Sequence, residues 1–201
     1  MKQQEIDRAV RDITKEKDPC LKHLTLASLL GKLFKEKGFS FIVVGGSAIE
    51  ILTDGAYQSG DLDICWDNVR RPSLKLCQEI MGKLGAKGGP RSWEVCGTFV
   101  DTLGIVETDA RTSFRKIKGA YGTVSVAKPE DLIVERVLVA NYPQKNDEAK
   151  STAKKLLAVC LTGTLSIDWN EVERVAGLSS YGVSKELKAL KKEAADEAKK
   201  N

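Results

Sequence analysis

The sequence predicts an α/β (α+β) fold, a mixed β-sheet flanked by helices and followed by a C-terminal helical region. Three observations predict it. Apolar runs of strand length, beginning with Phe41-Ile42-Val43-Val44, alternate with helical periodicity in the first half of the chain. Strand-like runs then follow one another as neighbours between Val95 and Ala127. After Lys128 the pattern is helical almost throughout. The expected division is therefore 1–128 for the sheet-bearing core with its N-terminal helices and 129–201 for a helical region packed on it.

Taken in order, the first 18 residues carry Ile6, Val10 and Ile13 at helical spacing and end before Pro19. From Leu21 a stronger apolar stripe (Leu24, Ala27, Leu30, Phe34) predicts a second helix, with Lys35 and Lys37 in its last turn and Gly38 as its stop. Phe41 to Val44 is a continuous apolar run closed by Gly45-Gly46, the pattern of a strand buried on both faces. Ser47-Ala48-Ile49-Glu50 fits a capping box opening a short helix before Gly55. Leu62 to Trp66 reads as a strand, 72 to 83 as a helix with Pro72 in its first turn, and 85 to 90 as a loop. Strands follow at Val95-Cys96, Thr98 to Val106 and Thr123 to Ala127, the first two joined at Gly97. Pro129-Glu130-Asp131 is an acidic helix start, Asn146 or Asp147 caps the next helix, and Asp168 to Glu171 forms another capping box. A last helix carries Val183, Leu187 and Leu190; from Lys185 onward six lysines face four acids, which suits a solubilising helix end better than an RNA-binding arm.

Composition narrows the function classes. The chain of 201 residues is 42% hydrophobic and 30% charged, with a formal net charge of +4, the balance of a globular protein with room for one sizeable core. Mild basicity suits contact with phosphates without marking a dedicated nucleic-acid binder. No apolar stretch approaches the roughly 20 residues that span a bilayer. The start, Met1 to Arg8, has no signal-peptide run, so a cytoplasmic protein without membrane contact is expected. Five widely spaced cysteines with no Cys-x-x-Cys pair and a single histidine, His23, read as reduced, mostly buried thiols rather than as a zinc site. His23 lies among leucines and is expected on a helix surface.

The chemistry concentrates in two segments. Asp61 and Asp63, two apart on a strand, leave the same face about 6.5 Å apart along the chain. Carboxylates so placed repel unless a cation lies between them, and an all-oxygen donor set selects Mg²⁺ or Mn²⁺ over zinc. Asp101 interrupts an apolar strand, Phe99-Val100-Asp101-Thr102-Leu103, and is the candidate third carboxylate. The structural alternative has Asp61 capping a turn after Gly60 and Asp101 exposed on an edge strand. Gly45-Gly46-Ser47 lets the backbone approach a ligand closely and puts helix-start N–H groups toward an anion such as a phosphate. Ser47 either bonds a phosphate oxygen or closes the capping box with Glu50. The turn lacks the lysine of a P-loop and the third glycine of a dinucleotide fingerprint.

The order strand, Gly45-Gly46-Ser47, short helix, Ser59-Gly60-Asp61-Leu62-Asp63-Ile64 resembles the nucleotidyltransferase superfamily that includes DNA polymerase β, aminoglycoside nucleotidyltransferases and small AbiEii-like toxin enzymes. Lys128-Pro129-Glu130-Asp131-Leu132-Ile133 resembles the Pro-Glu-Asp-Leu helix start of the AbiEii-like branch, with Arg136 where a basic residue is usual. The resemblance spans roughly Phe41 to Leu161. It implies that Asp61, Asp63 and Asp101 bind Mg²⁺ (or Mn²⁺) and are catalytic, and that Gly45, Gly46, Ser47 and Arg136 contact the phosphates of a nucleoside triphosphate. Lys128, Arg70 and Arg71 are further candidates for phosphate contact. The implied activity is transfer of a nucleotidyl group to a hydroxyl, by a toxin-type enzyme acting on tRNA or protein and held by an antitoxin protein. The alternatives are a non-catalytic nucleotide- or partner-binding module of the same fold and a small-molecule, antibiotic-type nucleotidyltransferase. Tyr57 stands where relatives often carry an arginine.

Overall fold

The computed structural model describes residues 1–67 and 70–198, the last without its side chain. It divides into two units, one of residues 1–107 and 115–127 and the other of residues 108–114 and 128–201. The lysine-rich terminus extends past Ala198, so the part of that expectation resting on Lys199 and Lys200 lies outside the described residues.

The first unit contains a seven-stranded sheet. Its N-terminal helices are α1 (Gln3–Lys15), which buries Ile6, Ala9 and Ile13, and α2 (Pro19–Lys35), which buries Leu26, Leu29, Leu30, Leu33 and Phe34. Asp18 caps α2 by accepting from Leu21 N at 3.1 Å, and Pro19, with no N–H to leave unpaired, fills its first turn. There follow β1 (Phe41–Val43), α3 (Gly45–Leu52), β2 (Asp61–Trp66) and α4 (Leu74–Lys83). Then come β3 (Lys87–Gly88), β4 (Ser92–Val95), β5 (Thr98–Ile105), β6 (Arg115–Gly119) and β7 (Gly122–Val126). The spatial order is β3-β4-β5-β2-β1-β7-β6. The pairs β2–β5 and β1–β7 are parallel and the rest antiparallel, so the sheet is mixed as expected. Phe34, Phe41 and Trp66 meet edge to face with ring centroids 5.0 to 6.2 Å apart, an arrangement the ring quadrupoles favour.

Two strands stand where none is expected, and β4 runs over Ser92–Val95 where Val95-Cys96 is expected, with Cys96 in the turn to β5. The stretch expected as a loop contains β3, and β6 stands where no strand is expected. The cause is the same in both: β3 has both residues exposed, and β6 offers only Ile117 between Arg115, Lys116 and Lys118, so neither shows an apolar alternation. Helix α4 begins after Ser73, whose hydroxyl accepts from Leu76 N at 3.2 Å, and Pro72 lies outside it.

The second unit is helical: α5 (Pro129–Asn141), α6 (Asp147–Leu161), α7 (Trp169–Ala176) and α8 (Ser184–Ala198). Its core includes Ile133, Val137, Leu156, Leu157, Val172 and Val175, all fully buried. Asn146 caps α6 through Ala149 N at 2.9 Å. The strap 108–114 is held in this unit by acids at helix starts. Asp131 accepts from the Thr108 hydroxyl and from the N–H groups of Asp109 (3.2 Å) and Ala110 (2.8 Å). Glu130 accepts from Thr112 Oγ1 and from Asp168 N, each at 3.0 Å. Half of the expected capping box at α7 forms: Asp168 accepts from Asn170 N and Glu171 N. The Glu171 carboxylate turns instead to Arg111 N and the Arg174 guanidinium. No helix among the described residues is long and apolar enough to cross a membrane.

Candidate metal and nucleotide site

The site grows from one tight junction in the first unit. β1 ends at Val43, and its continuation is held to β2 where Val44 N donates to Asp63 O at 3.0 Å. The chain then turns into α3 at Gly45, with φ +61°, a region open to glycine at little cost. A Cβ at Gly45 would lie 2.6 Å from Asp63 Oδ2, and one at Gly46 would lie 2.8 Å from Ser59 Oγ. Gly45 is therefore required for its backbone conformation, and a Cβ at either glycine would displace a side-chain end, that of Asp63 at Gly45 and those of Ser59 and Tyr57 at Gly46.

Ser47 lies inside the helix rather than before it. α3 starts three residues earlier than the sequence suggests, after Val44, and has no side-chain cap. The Ser47 hydroxyl donates to Val44 O at 3.0 Å and accepts from Asp63 N at 3.1 Å, so it ties the turn to the strand carrying the acids. The expected Ser47–Glu50 capping box is absent, since Glu50 is 0% exposed and faces away from the helix start. Its Oε2 lies 2.5 Å from His23 Nδ1. His23 is correspondingly buried, not on a helix surface. An acid inside α3 and the only histidine in the chain, 27 residues earlier, pair through one carboxylate oxygen while Glu50 Oε1 stays buried without a hydrogen-bond partner among the described residues, and no local pattern announces such a pair.

The three acids come together through register. Asp63 pairs with Asp101 across the parallel β2–β5 ladder, and Asp61 pairs with Phe99 one step earlier. Strand alternation then aims Asp61, Asp63 and Asp101 to one face, where one carboxylate oxygen of each lies within 4.8 Å of the others. β5 is interior, between β4 and β2, so Asp101 is not on an edge strand. Ser59 Oγ donates to Asp61 Oδ1 at 3.2 Å. Ionised carboxylates at this separation repel by about 3.5 kcal/mol per pair at an effective dielectric of about 20. Asp101 Oδ1 is buried and has no hydrogen-bond partner among the described residues. An orphaned buried carboxylate oxygen facing two further carboxylates fits a hard divalent cation, which would satisfy the lone pair and neutralise the repulsion.

Arg136 lies on α5 of the second unit, 3.8 Å from Glu135, and its Nε is buried with no partner among the described residues. Lys128, also in that unit, donates to Ala110 O at 2.5 Å and lies 5.0 Å from the centroid of the Phe114 ring. Arg70 lies 5.7 Å from the centroid of the Phe39 ring, and Arg71 is exposed. None of the five cysteines is in a disulfide, and Cys77 and Cys160 are buried and the others partly so. Sequence reasoning did not find the contacts of Tyr57 and Ser59 with the glycine turn, since they depend on a chain crossing that only tertiary structure creates.

The comparisons with solved structures bear on the fold that carries this site. The chain is similar to an antigenic nucleotidyltransferase-like protein from Paracoccidioides brasiliensis, with a TM-score of 0.52 and 13% identity over 86% of this chain and 94% of that one. It is also similar to ANT(2")-Ia, solved in complex with adenylyl-2"-tobramycin, with a TM-score of 0.55 and 15% identity over 77% of this chain and 94% of that one. The chain thus has a nucleotidyltransferase-type fold. No family model matches the sequence, and no curated protein matches it.

Proposed function

We propose that the chain is a divalent-cation-dependent nucleotidyltransferase that moves a nucleotidyl group from a nucleoside triphosphate to a hydroxyl acceptor. The observation that carries this reading is the convergence of Asp61, Asp63 and Asp101 beside a glycine turn whose first residue has a positive φ. Asp61, Asp63 and Asp101 would hold Mg²⁺ or Mn²⁺. The cation would supply charge neutralisation at the phosphates and a Lewis-acidic centre.

The protein's own part is positioning. The N–H groups that open α3 at Gly45 and Gly46 face an anion with the positive end of the helix dipole. Ser47 fixes that turn against Asp63, so its share in phosphate binding is to hold the donors in place. The acceptor hydroxyl attacks the α-phosphorus, the new O–P bond forms as the bond to the bridging oxygen breaks, and pyrophosphate leaves. Asp101 is the candidate base for the hydroxyl proton. Arg136 is assigned to the triphosphate on resemblance. The AbiEii-like branch, a toxin role on tRNA or protein and an antitoxin partner remain part of the proposal on the same ground.

The test is transfer of label from α-labelled triphosphates, together with calorimetric binding of the Mg²⁺–triphosphate. Asp63→Asn should abolish transfer, by about three orders of magnitude or more if it removes one of the cation's charged ligands. Triphosphate binding that is indifferent to both Mg²⁺ and Asp63→Asn would instead support the non-catalytic module. The occupied Ser47 hydroxyl and Tyr57 in place of a usual arginine favour that second reading.

A further inference from the structure

The helical side of the sheet holds a second acidic feature, apart from the three aspartates. Phe34 of α2 packs against Trp66, and strand alternation puts Trp66 on the face opposite Asp61 and Asp63, so α2 lies behind the candidate site. Between the start of α2 and the end of α3 runs a groove of about 490 Å³. Its walls include Asp18, Cys20, Leu21 and Leu24 on one side and Glu50 and Asp54 on the other, and no Lys, Arg or His lines it. The acids grade from rim to floor, with Asp18 and Asp54 exposed and Glu50 fully buried. Glu50 Oε2 is held by His23 Nδ1, while Oε1 is buried without a hydrogen-bond partner among the described residues. Burial first, and then the charges of Glu50, Asp18 and Asp54 in that order, push the Cys20 thiol up to about 11, so the Glu50 carboxylate is the strongest charge acting at the groove wall.

A buried carboxylate oxygen without a donor is costly, and a groove with three acids and no base draws a cation. What kind of cation follows from how many oxygens each acid still offers. Asp18 Oδ1 accepts from Leu21 N at 3.1 Å as the cap of α2, so Asp18, like Glu50, has one oxygen left to give. A guanidinium fork engages both oxygens of a carboxylate, whereas an ammonium head is a compact charge that single oxygens satisfy. A divalent metal needs its donor atoms gathered closely, and among the described residues only Asp61, Asp63 and Asp101 do so. Leu21, 48% exposed, and the half-buried Leu24 offer apolar surface to an alkyl stem.

We infer that this groove is a binding site for an alkylammonium group, whose head reaches Glu50 Oε1 between Asp18 and Asp54 and whose stem lies on Leu21 and Leu24. The group belongs either to a free aliphatic amine or to a lysine side chain of a polypeptide. The site does not depend on the nucleotidyltransferase reading, since none of its residues lies on the face of Asp61, Asp63 and Asp101.

The experiment is calorimetric titration of the full chain at pH 7 and fixed ionic strength, with excess Mg²⁺ present throughout to occupy the three aspartates. The probes are butylamine, butylguanidine and butanol, which share a stem and differ in the head, and an acetylated, amidated pentapeptide with one central lysine among glycines. Butylamine should bind about tenfold or more tightly than butanol, and more tightly than butylguanidine. A peptide that binds more tightly than butylamine assigns the group to a polypeptide, and the reverse order assigns it to a free amine. Glu50→Gln should weaken amine binding about tenfold. Asp18→Asn, which keeps the helix cap, and Asp54→Asn, which suits the φ of +51° there, should each weaken it about threefold in a folded protein. Asp63→Asn should leave it within about twofold. The inference is overturned if neither amine binds, if butanol binds as tightly as butylamine, or if butylguanidine binds more tightly. Amine binding that Asp18→Asn and Asp54→Asn both leave unchanged overturns it as well.

Discussion

At Gly45 a single methyl group decides whether the turn and the acids coexist. Gly45→Ala puts a Cβ against Asp63 Oδ2 and forces an L-residue into left-handed backbone. The expected cost is about 1–3 kcal/mol, with loss of Mg²⁺-dependent triphosphate binding. Urea unfolding and calorimetry check the two parts separately. His23 makes a different point. Removing its ring by His23→Ala leaves the Glu50 carboxyl, 0% exposed, without the partner it has at 2.5 Å. The stability loss should be about 1–3 kcal/mol, visible as a lower urea midpoint at unchanged slope. Both residues were visible in the sequence, but only the glycine's reason was. A positive φ next to a strand end is a local property, whereas the buried His23–Glu50 pair needs two helices brought together. The placement of His23 on a surface failed because leucine spacing reveals that a helix has an apolar face, not which polar residue is drawn under it.

Among elements, the strap 108–114 is held by helix-start carboxylates whose ionisation matters. The Arg174 guanidinium, and then the N–H of Arg111, lower the Glu171 pKa to about 2. The folded value thus lies below the unfolded one of about 4.3, so the stabilisation is fully present above that pH and is lost as pH falls toward 2. Unfolding midpoints measured at pH 6, 4.5 and 3 should decline over the lower interval, and Glu171→Gln should flatten that part of the decline. The strand and helix pattern was largely legible, since β1, β2, β5 and β7 and most helices follow from apolar periodicity and capping residues. β6 was not, because its outward positions are lysines and its inward ones offer one isoleucine. The acids were legible as residue types in sequence, yet their meeting depends on the parallel register of β2 with β5, which no residue pattern specifies.

For the first unit as a whole, the three acids have opposite effects in the two ionic conditions. In chelator their repulsion opposes folding, and Asp101→Asn should raise Tm. With saturating Mg²⁺ at about 100 times Kd, a bound cation adds about 2.7 kcal/mol to the wild type, a rise of several degrees that Asp101→Asn should lack. Thermal denaturation of both proteins in both conditions gives the comparison, and a variant that tracks the wild type in all four would remove the cation from the account.

The strap has a further consequence in how the chain can be divided. The backbone passes between the two units at 107/108, 114/115 and 127/128, so neither unit is one continuous stretch. A single recombination breakpoint therefore cannot transplant the helical unit onto another sheet, because the seven residues that satisfy Glu130, Asp131 and Glu171 would stay behind. The strap and the helices travel together only with β6 and β7, which lie between them in the chain.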